Sequence, residues 1–172
     1  MMKQIEDDLF TLTEQGNFDL IFHGVNCFCT APYAGIAAEF EKRFNISLFG
    51  YEQDYYKGKF AKLGNVDIEP KYIHKVTKQV ISKEDFKTTS IPALYYKVLV
   101  TNCYTQHNPG KDLNVVALLM CLQKIAFFAK ANNLRVGFPA LGAGIAGGNL
   151  EQLKGYYASC LKDVDATLVL KV

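Results

Sequence analysis

Gly142, Gly144, Gly147 and Gly148 crowd one short stretch, Leu141-Gly142-Ala143-Gly144-Ile145-Ala146-Gly147-Gly148. Glycine suits backbone that turns with positive φ or lies against a ligand with no Cβ in the way. Where such a loop leads a strand into a helix, its N–H groups and the helix dipole make an anion site. The same residues also suit a tight strand-to-helix turn that holds nothing. A P-loop is excluded, because Gly148 is followed by Asn149-Leu150 and not by lysine and a hydroxyl residue. Asp163 and Asp165 stand near the spacing of a dinucleotide fingerprint acid, but the loop follows a late strand and leaves no room for the rest of that fold.

Other chemistry-bearing residues sit earlier. Asn26 ends the apolar run Phe18–Val25; its amide can cap the next loop, hold a ribose hydroxyl or position a water. His23, in the same run, reads either as a hydrogen-bonded core residue or as an acid–base group with a near-neutral pKa. Asp7 and Asp8 read as solvent-facing acids, or as acceptors for an adenine amino group at a cleft mouth. Tyr33, Tyr51, Tyr55, Tyr56 and Tyr104 could stack on a base. Cys27-Phe28-Cys29 lacks a second ligand pair, so no metal and no cofactor is expected. Ser159 and Cys160 have no base partner nearby, and a nucleophilic triad is not supported.

The elements that must position these residues follow from hydrophobic spacing. Phe18–Val25 reads as a buried strand, and Gly35–Phe44 as a helix with Ile36, Ala37, Phe40 and Phe44 on one face. Between Gly50 and Gln79 the chain makes a surface excursion around Tyr55-Tyr56-Lys57-Gly58-Lys59, with short strands at Lys71–Thr77 and Val80-Ile81. Glu84–Pro92 reads as a polar loop, and Tyr95–Thr101 as a strand. A helix over Leu113–Ala131 shows Val116, Leu119, Met120, Gln123 and Phe127 on one face. A strand at Leu134–Phe138, a helix at Leu150–Leu161 and a strand at Ala166–Val172 complete the order. Alternating strands and helices predict a sheet with parallel strands covered on both faces. In such sheets ligands bind beyond the strands' carboxyl ends, where the loops Asn26–Ala34 and Pro139–Gly148 would meet.

The 172 residues are 49% hydrophobic, enough for a single domain over 1–172 with a sizeable core. A net charge of +2, scattered lysines and no arginines beyond Arg43 and Arg135 disfavour a nucleic-acid partner. An odd count of cysteines, without a regular framework, suits reduced thiols and a cytoplasmic location. The charged N-terminus does not read as a signal peptide, and no apolar run approaches the roughly 20 residues that span a bilayer, so no membrane association is expected.

Together these stretches resemble a macrodomain, the ADP-ribose-binding module of the Appr-1″-p processing family. Phe18-Asp19-Leu20-Ile21-Phe22-His23-Gly24-Val25-Asn26-Cys27 resembles its first-loop strand, Gly35-Ile36-Ala37 the start of its next helix, and Phe138 to Gly148 its phosphate-holding loop. His23, Lys62-Leu63-Gly64 and Asn102-Cys103-Tyr104-Thr105-Gln106 are similar to a branch with phage macrodomains, ADP-ribose-1″-phosphate phosphatases and terminal ADP-ribose–glutamate hydrolases. The resemblance implies a three-layer α/β/α fold around a mixed, mostly parallel sheet. It implies binding of ADP-ribose or ADP-ribose-1″-phosphate, free or on an ADP-ribosylated protein, with hydrolysis of a phosphate or ester. The alternative is a reader without turnover.

By the same resemblance, Asp8 recognises adenine and Asn26 the distal ribose. Gly35 and Ile36 form the facing rim, and Tyr104 and Gln106 line the adenosine side. Gly142, Ala143, Gly144, Ile145, Ala146 and Gly147 wrap the diphosphate, while His23 and Asn26 carry catalysis. Two departures bear on the reaction: the first loop holds Thr30-Ala31-Pro32-Tyr33-Ala34, one residue longer than the family pattern, and Asn149 stands where relatives carry an aspartate.

Overall fold

The computed structural model describes residues 2–28, 34–45 and 57–172. Tyr33, Pro32, Tyr51, Tyr55, Tyr56 and Cys29 lie outside them. Seven strands, β1 (Lys3–Glu6), β2 (Leu20–Asn26), β3 (Val66–His74), β4 (Val80–Ile81), β5 (Tyr95–Gln106), β6 (Arg135–Phe138) and β7 (Asp165–Leu170), form one sheet in the order β1-β7-β6-β2-β5-β3-β4. Pairings from β1 through to β5 are parallel, whereas β3 runs antiparallel to both β5 and β4. The sheet is mixed and mostly parallel, as expected.

The helices are α1 (Leu9–Glu14), α2 (Gly35–Phe44), α3 (Lys83–Thr88), α4 (Val115–Ala131) and α5 (Leu150–Cys160). Strand alternation divides the core between the two faces of the sheet. Ile21, Val25, Val98 and Val100 meet Leu9, Phe10, Phe40 and Phe44 of α1 and α2 on one side. On the other, Leu20, Phe22, Val136 and Leu168 meet Leu118, Leu122, Ile125, Leu153 and Tyr157 of α4 and α5.

At the amino end of β2, Asp19 takes a two-pronged bond from Arg135 (Nε to Oδ2 2.9 Å, Nη2 to Oδ1 2.8 Å) and a third from the Arg135 amide at 2.8 Å. These bonds, with the Arg135 charge, hold the Asp19 carboxyl below the usual range against its partial burial. The pair locks β2 beside β6, so their opposite, carboxyl ends are fixed relative to each other.

Three local expectations change. Lys83–Thr88 is a helix that overlaps the stretch Glu84–Pro92 expected as a polar loop: Ser82 Oγ caps the Asp85 amide at 3.0 Å, Glu84 and Asp85 occupy the first turn, and Phe86 stacks on Tyr72 at 3.8 Å. The short α1 has no counterpart in the hydrophobic reading; the Asp8 carboxylate starts it by accepting from the Thr11 amide at 2.7 Å. Along α4, the stripe Val116, Met120 and Phe127 faces solvent, with Phe127 80% exposed, while Ala117, Leu118, Cys121, Leu122, Ile125 and Ala129 are buried. Among the described residues, no helix is long and apolar enough to cross a membrane.

Candidate functional site

A cleft of about 650 Å³ opens at the carboxyl ends of the parallel strands. Gly24 to Asn26 bring β2 to it, Thr105 and Gln106 bring β5, and the loop after β6 covers it with Pro139 to Gly142 and Gly144 to Ala146. Asp7 and Asp8 stand at the end next to β1, with Leu9, Phe10 and, from α2, Arg43.

The glycine loop folds on itself. Gly142 and Gly147 both take φ of 84°, a left-handed conformation that side chains resist. The Gly148 amide donates to the Gly142 carbonyl at 2.9 Å, and a Cβ on Gly148 would sit 2.6 Å from that oxygen. Gly147 donates to the Gly144 carbonyl at 3.1 Å. These turns leave the N–H groups of Gly142, Gly144, Ile145 and Ala146 without a backbone acceptor among the described residues. All four residues line the cleft. Ala143 instead packs half-buried on the core, and Gly147 lies against Lys111.

Gly35 opens α2 with φ of 57°, and a Cβ there would stand 3.3 Å from Cδ1 of Ile145. The start of α2 and the glycine loop therefore meet, with Gly35, Ile36 and Ile145 forming a rim over the cleft. Asn26 lies below. Its Oδ1 accepts from the Phe28 amide at 2.9 Å, so it caps its loop and lines the cleft at once.

Asp8 lines the cleft while capping α1. Burial would raise its carboxyl, but the Thr11 hydrogen bonds and the Arg43 charge outweigh it and hold the group ionised below the usual range. Asn149, at the far end of the glycine loop, caps α5 by accepting from the Gln152 amide at 3.0 Å.

The structure does not bring His23 and Tyr104 to the cleft. His23 is fully buried, its ring stacked 3.9 Å from Phe40 and its Nε2 2.7 Å from Asn102 Oδ1. Burial lowers its pKa to about 4, against the Asn102 hydrogen bond that raises it, so the ring is neutral. Its Nδ1 is buried without a partner among the described residues. Tyr104 is also buried: its hydroxyl donates to Asp67 Oδ2 at 2.6 Å, and Lys62 Nζ lies 5.5 Å over its ring. Gln106 does reach the cleft, but its Nε2 donates to the Asn108 carbonyl at 2.7 Å and the Gly110 carbonyl at 2.8 Å.

Thr105 and Gly24 join the site without a signal in the residue types. Thr105 lines the cleft, is 1% exposed, and its Oγ1 has no partner among the described residues. Gly24 leaves space for that hydroxyl and for Leu141: a Cβ there would lie 2.9 Å from Thr105 Oγ1 and 2.7 Å from Leu141 Cδ1. Cys27 is buried and its thiol raised by that burial. Among the described residues, no cluster of His, Cys, Asp and Glu is placed to hold a metal ion.

No family model matches the chain. Over 157 residues it is 28% identical to the 17.5 kDa protein of the tk-vs intergenic region of Enterobacteria phage T4, covering 90% of this chain and 86% of that one. The fold is similar to the macrodomain of Mycobacterium tuberculosis DarG, with a TM-score of 0.62, 17% identity, and coverage of 98% of this chain and 97% of that one. It also matches Thermosipho africanus DarTG in complex with ADP-ribose, with a TM-score of 0.66 and 16% identity over 97% of this chain and 40% of that longer one. The sheet order and these likenesses agree: the chain has the macrodomain fold.

Proposed function

We propose that the cleft binds ADP-ribose or a close derivative. The observation that carries this reading is the set of four N–H groups, at Gly142, Gly144, Ile145 and Ala146, that have no backbone acceptor among the described residues and line a cleft of about 650 Å³. Neutral donors held by a turned backbone suit a diphosphate, because they need no rearrangement and surrender no backbone hydrogen bond to the described residues. Asp8, ionised at the β1 end, suits the adenine amino group. Asn26 and the Gly35–Ile145 rim suit the distal ribose. The complex of Thermosipho africanus DarTG with ADP-ribose supports the same ligand.

For the reaction, the buried His23 favours a reader over an ADP-ribose-1″-phosphate phosphatase or ADP-ribosyl ester hydrolase with histidine as its acid–base group. A neutral ring stacked on Phe40 and bonded to Asn102 does not line the cleft, so it is not placed to exchange a proton directly with a ligand there. Hydrolysis at this site would rest on Asn26 orienting water and on the loop N–H groups stabilising developing charge. Calorimetry with ADP-ribose tests binding; the same protein is then incubated with ADP-ribose-1″-phosphate and a glutamyl ADP-ribose ester. Heat of binding with neither product supports the reader. Turnover that disappears in Asn26→Ala supports the hydrolase, and absence of binding overturns both.

A further inference from the structure

We infer that Gln106 is a positioning residue: its side-chain amide braces the 107–113 loop, which in turn holds the glycine loop in shape. This role rests on the ADP-ribose reading only for its effect on affinity.

The observations are independent of any ligand. Gln106 is 8% exposed, and its Nε2 faces the carbonyls of Asn108 and Gly110 at 2.7 and 2.8 Å. Two carbonyl oxygens can only accept, so both amide hydrogens point at the loop and neither is left for a ligand. At its start the loop is also tied at His107, whose carbonyl accepts from the Cys27 amide at 3.0 Å and whose Nε2 donates to the Gly58 carbonyl at 2.8 Å, whereas residues 108–112 are otherwise held by short-range bonds. Asp112 Oδ2 accepts from the Asn108 amide at 2.7 Å, and the Asp112 amide donates to Gly110 at 3.0 Å.

What this loop supports is the candidate phosphate grip. Leu113 lies directly beneath it: Cβ atoms built on Gly142 and Gly148 would stand 3.1 and 2.7 Å from the two Cδ atoms of Leu113. The side chain of Lys111 fills the space beside Gly147, with Cγ 3.0 Å from a Cβ there, and the Leu113 amide points to the Ala146 carbonyl at 3.4 Å. Pro109 and Gly110 line the cleft themselves. Releasing the brace would therefore loosen one wall of the cleft and the floor under the glycines together. Preorganised donors bind an anion better than donors that must first be gathered.

The test is Gln106→Glu, which keeps the shape but sets a carboxylate against two carbonyls. Without ligand, amide hydrogen exchange should speed up at the bonded amides of the two segments, Asn108, Asp112 and Leu113 in one and Ala143 and Gly147 in the other, and stay unchanged in β1 and β7. ADP-ribose affinity measured at pH 8 should fall by about tenfold, the effect of losing hydrogen bonds that organise a site. At pH 4.5 the introduced carboxyl gains a proton and can donate to one carbonyl, so the deficit against wild type at the same pH should shrink. Unchanged exchange in both segments, or a deficit independent of pH, would overturn the role. If this variant does not fold, Gln106→Met supplies the exchange comparison. If wild type does not bind ADP-ribose, the ligand reading fails, while the exchange result still decides the brace.

Discussion

Thr105 presents the sharpest contrast between residue type and residue role. A threonine in a strand usually signals only a good sheet former, yet its buried hydroxyl lines the cleft with no partner among the described residues. An unsatisfied buried hydroxyl costs on the order of 1–3 kcal/mol. Thr105→Val keeps the branched shape and removes that cost. The expected outcome is an apo protein more stable by about 1 kcal/mol in urea melts, with ADP-ribose bound several-fold more weakly. A variant that is less stable, with unchanged affinity, would make the hydroxyl an ordinary structural group.

His23 reads from its surroundings as a core residue or an acid–base group, and from the macrodomain resemblance as a catalyst; the structure places it in the core. It stands three residues before Asn26, an odd spacing that turns strand side chains to opposite faces. Its pKa of about 4 lies below the ordinary 6.5, so between those values the unfolded chain binds the proton more readily. The stabilising contribution is complete above about pH 6.5 and is lost as pH falls toward 4, by roughly 3 kcal/mol from the size of the shift. Urea melts from pH 7 to 4 should show that slope in wild type and not in His23→Phe. An identical slope in both proteins would mean that other groups carry the acid sensitivity.

At the level of elements, helices and strands with a single clear apolar face were legible, and α2 matches its expected span, Gly35–Phe44. The face of α4 was not, because the helix is apolar nearly all round and periodicity cannot choose between its sides. Packing makes the choice: the small Ala117, Cys121 and Ala129 let the helix approach the sheet, leaving the larger Met120 and Phe127 outside. The antiparallel β3 was only half legible, since Pro70 and its charged neighbours Asp67, Glu69 and Lys71 interrupt the apolar pattern that marks a strand.

Asn149 also belongs to this level. Where an aspartate was the expected residue, asparagine is the cap of α5. Asn149→Ala should therefore cost about 1 kcal/mol of folding stability, whereas Asn149→Asp should cost almost nothing, since either residue caps well. Because Asn149 does not line the cleft, ADP-ribose affinity should stay unchanged in the aspartate variant. A loss of affinity there would show that residue 149 reaches the ligand.

Across the whole molecule, the fold and the cleft place opposing demands on the glycine loop, and the two can be separated. Gly148 is needed by the fold, because a Cβ there meets the Gly142 carbonyl at 2.6 Å. Gly144 is different: a Cβ at that position meets nothing within 4 Å, and its φ is not in the left-handed region. The space it leaves belongs to the cleft. Gly144→Val should consequently fold with a Tm close to wild type while filling the place a diphosphate would take. Ligand at about 100 times its dissociation constant stabilises a fold by about 2.7 kcal/mol, which for a chain of this size raises Tm by roughly 5–10 °C. That rise, followed by thermal melts with ADP-ribose, should appear in wild type and vanish in Gly144→Val. Equal rises in both proteins would place the ligand elsewhere; a variant already destabilised without ligand would return Gly144 to the role of a turn.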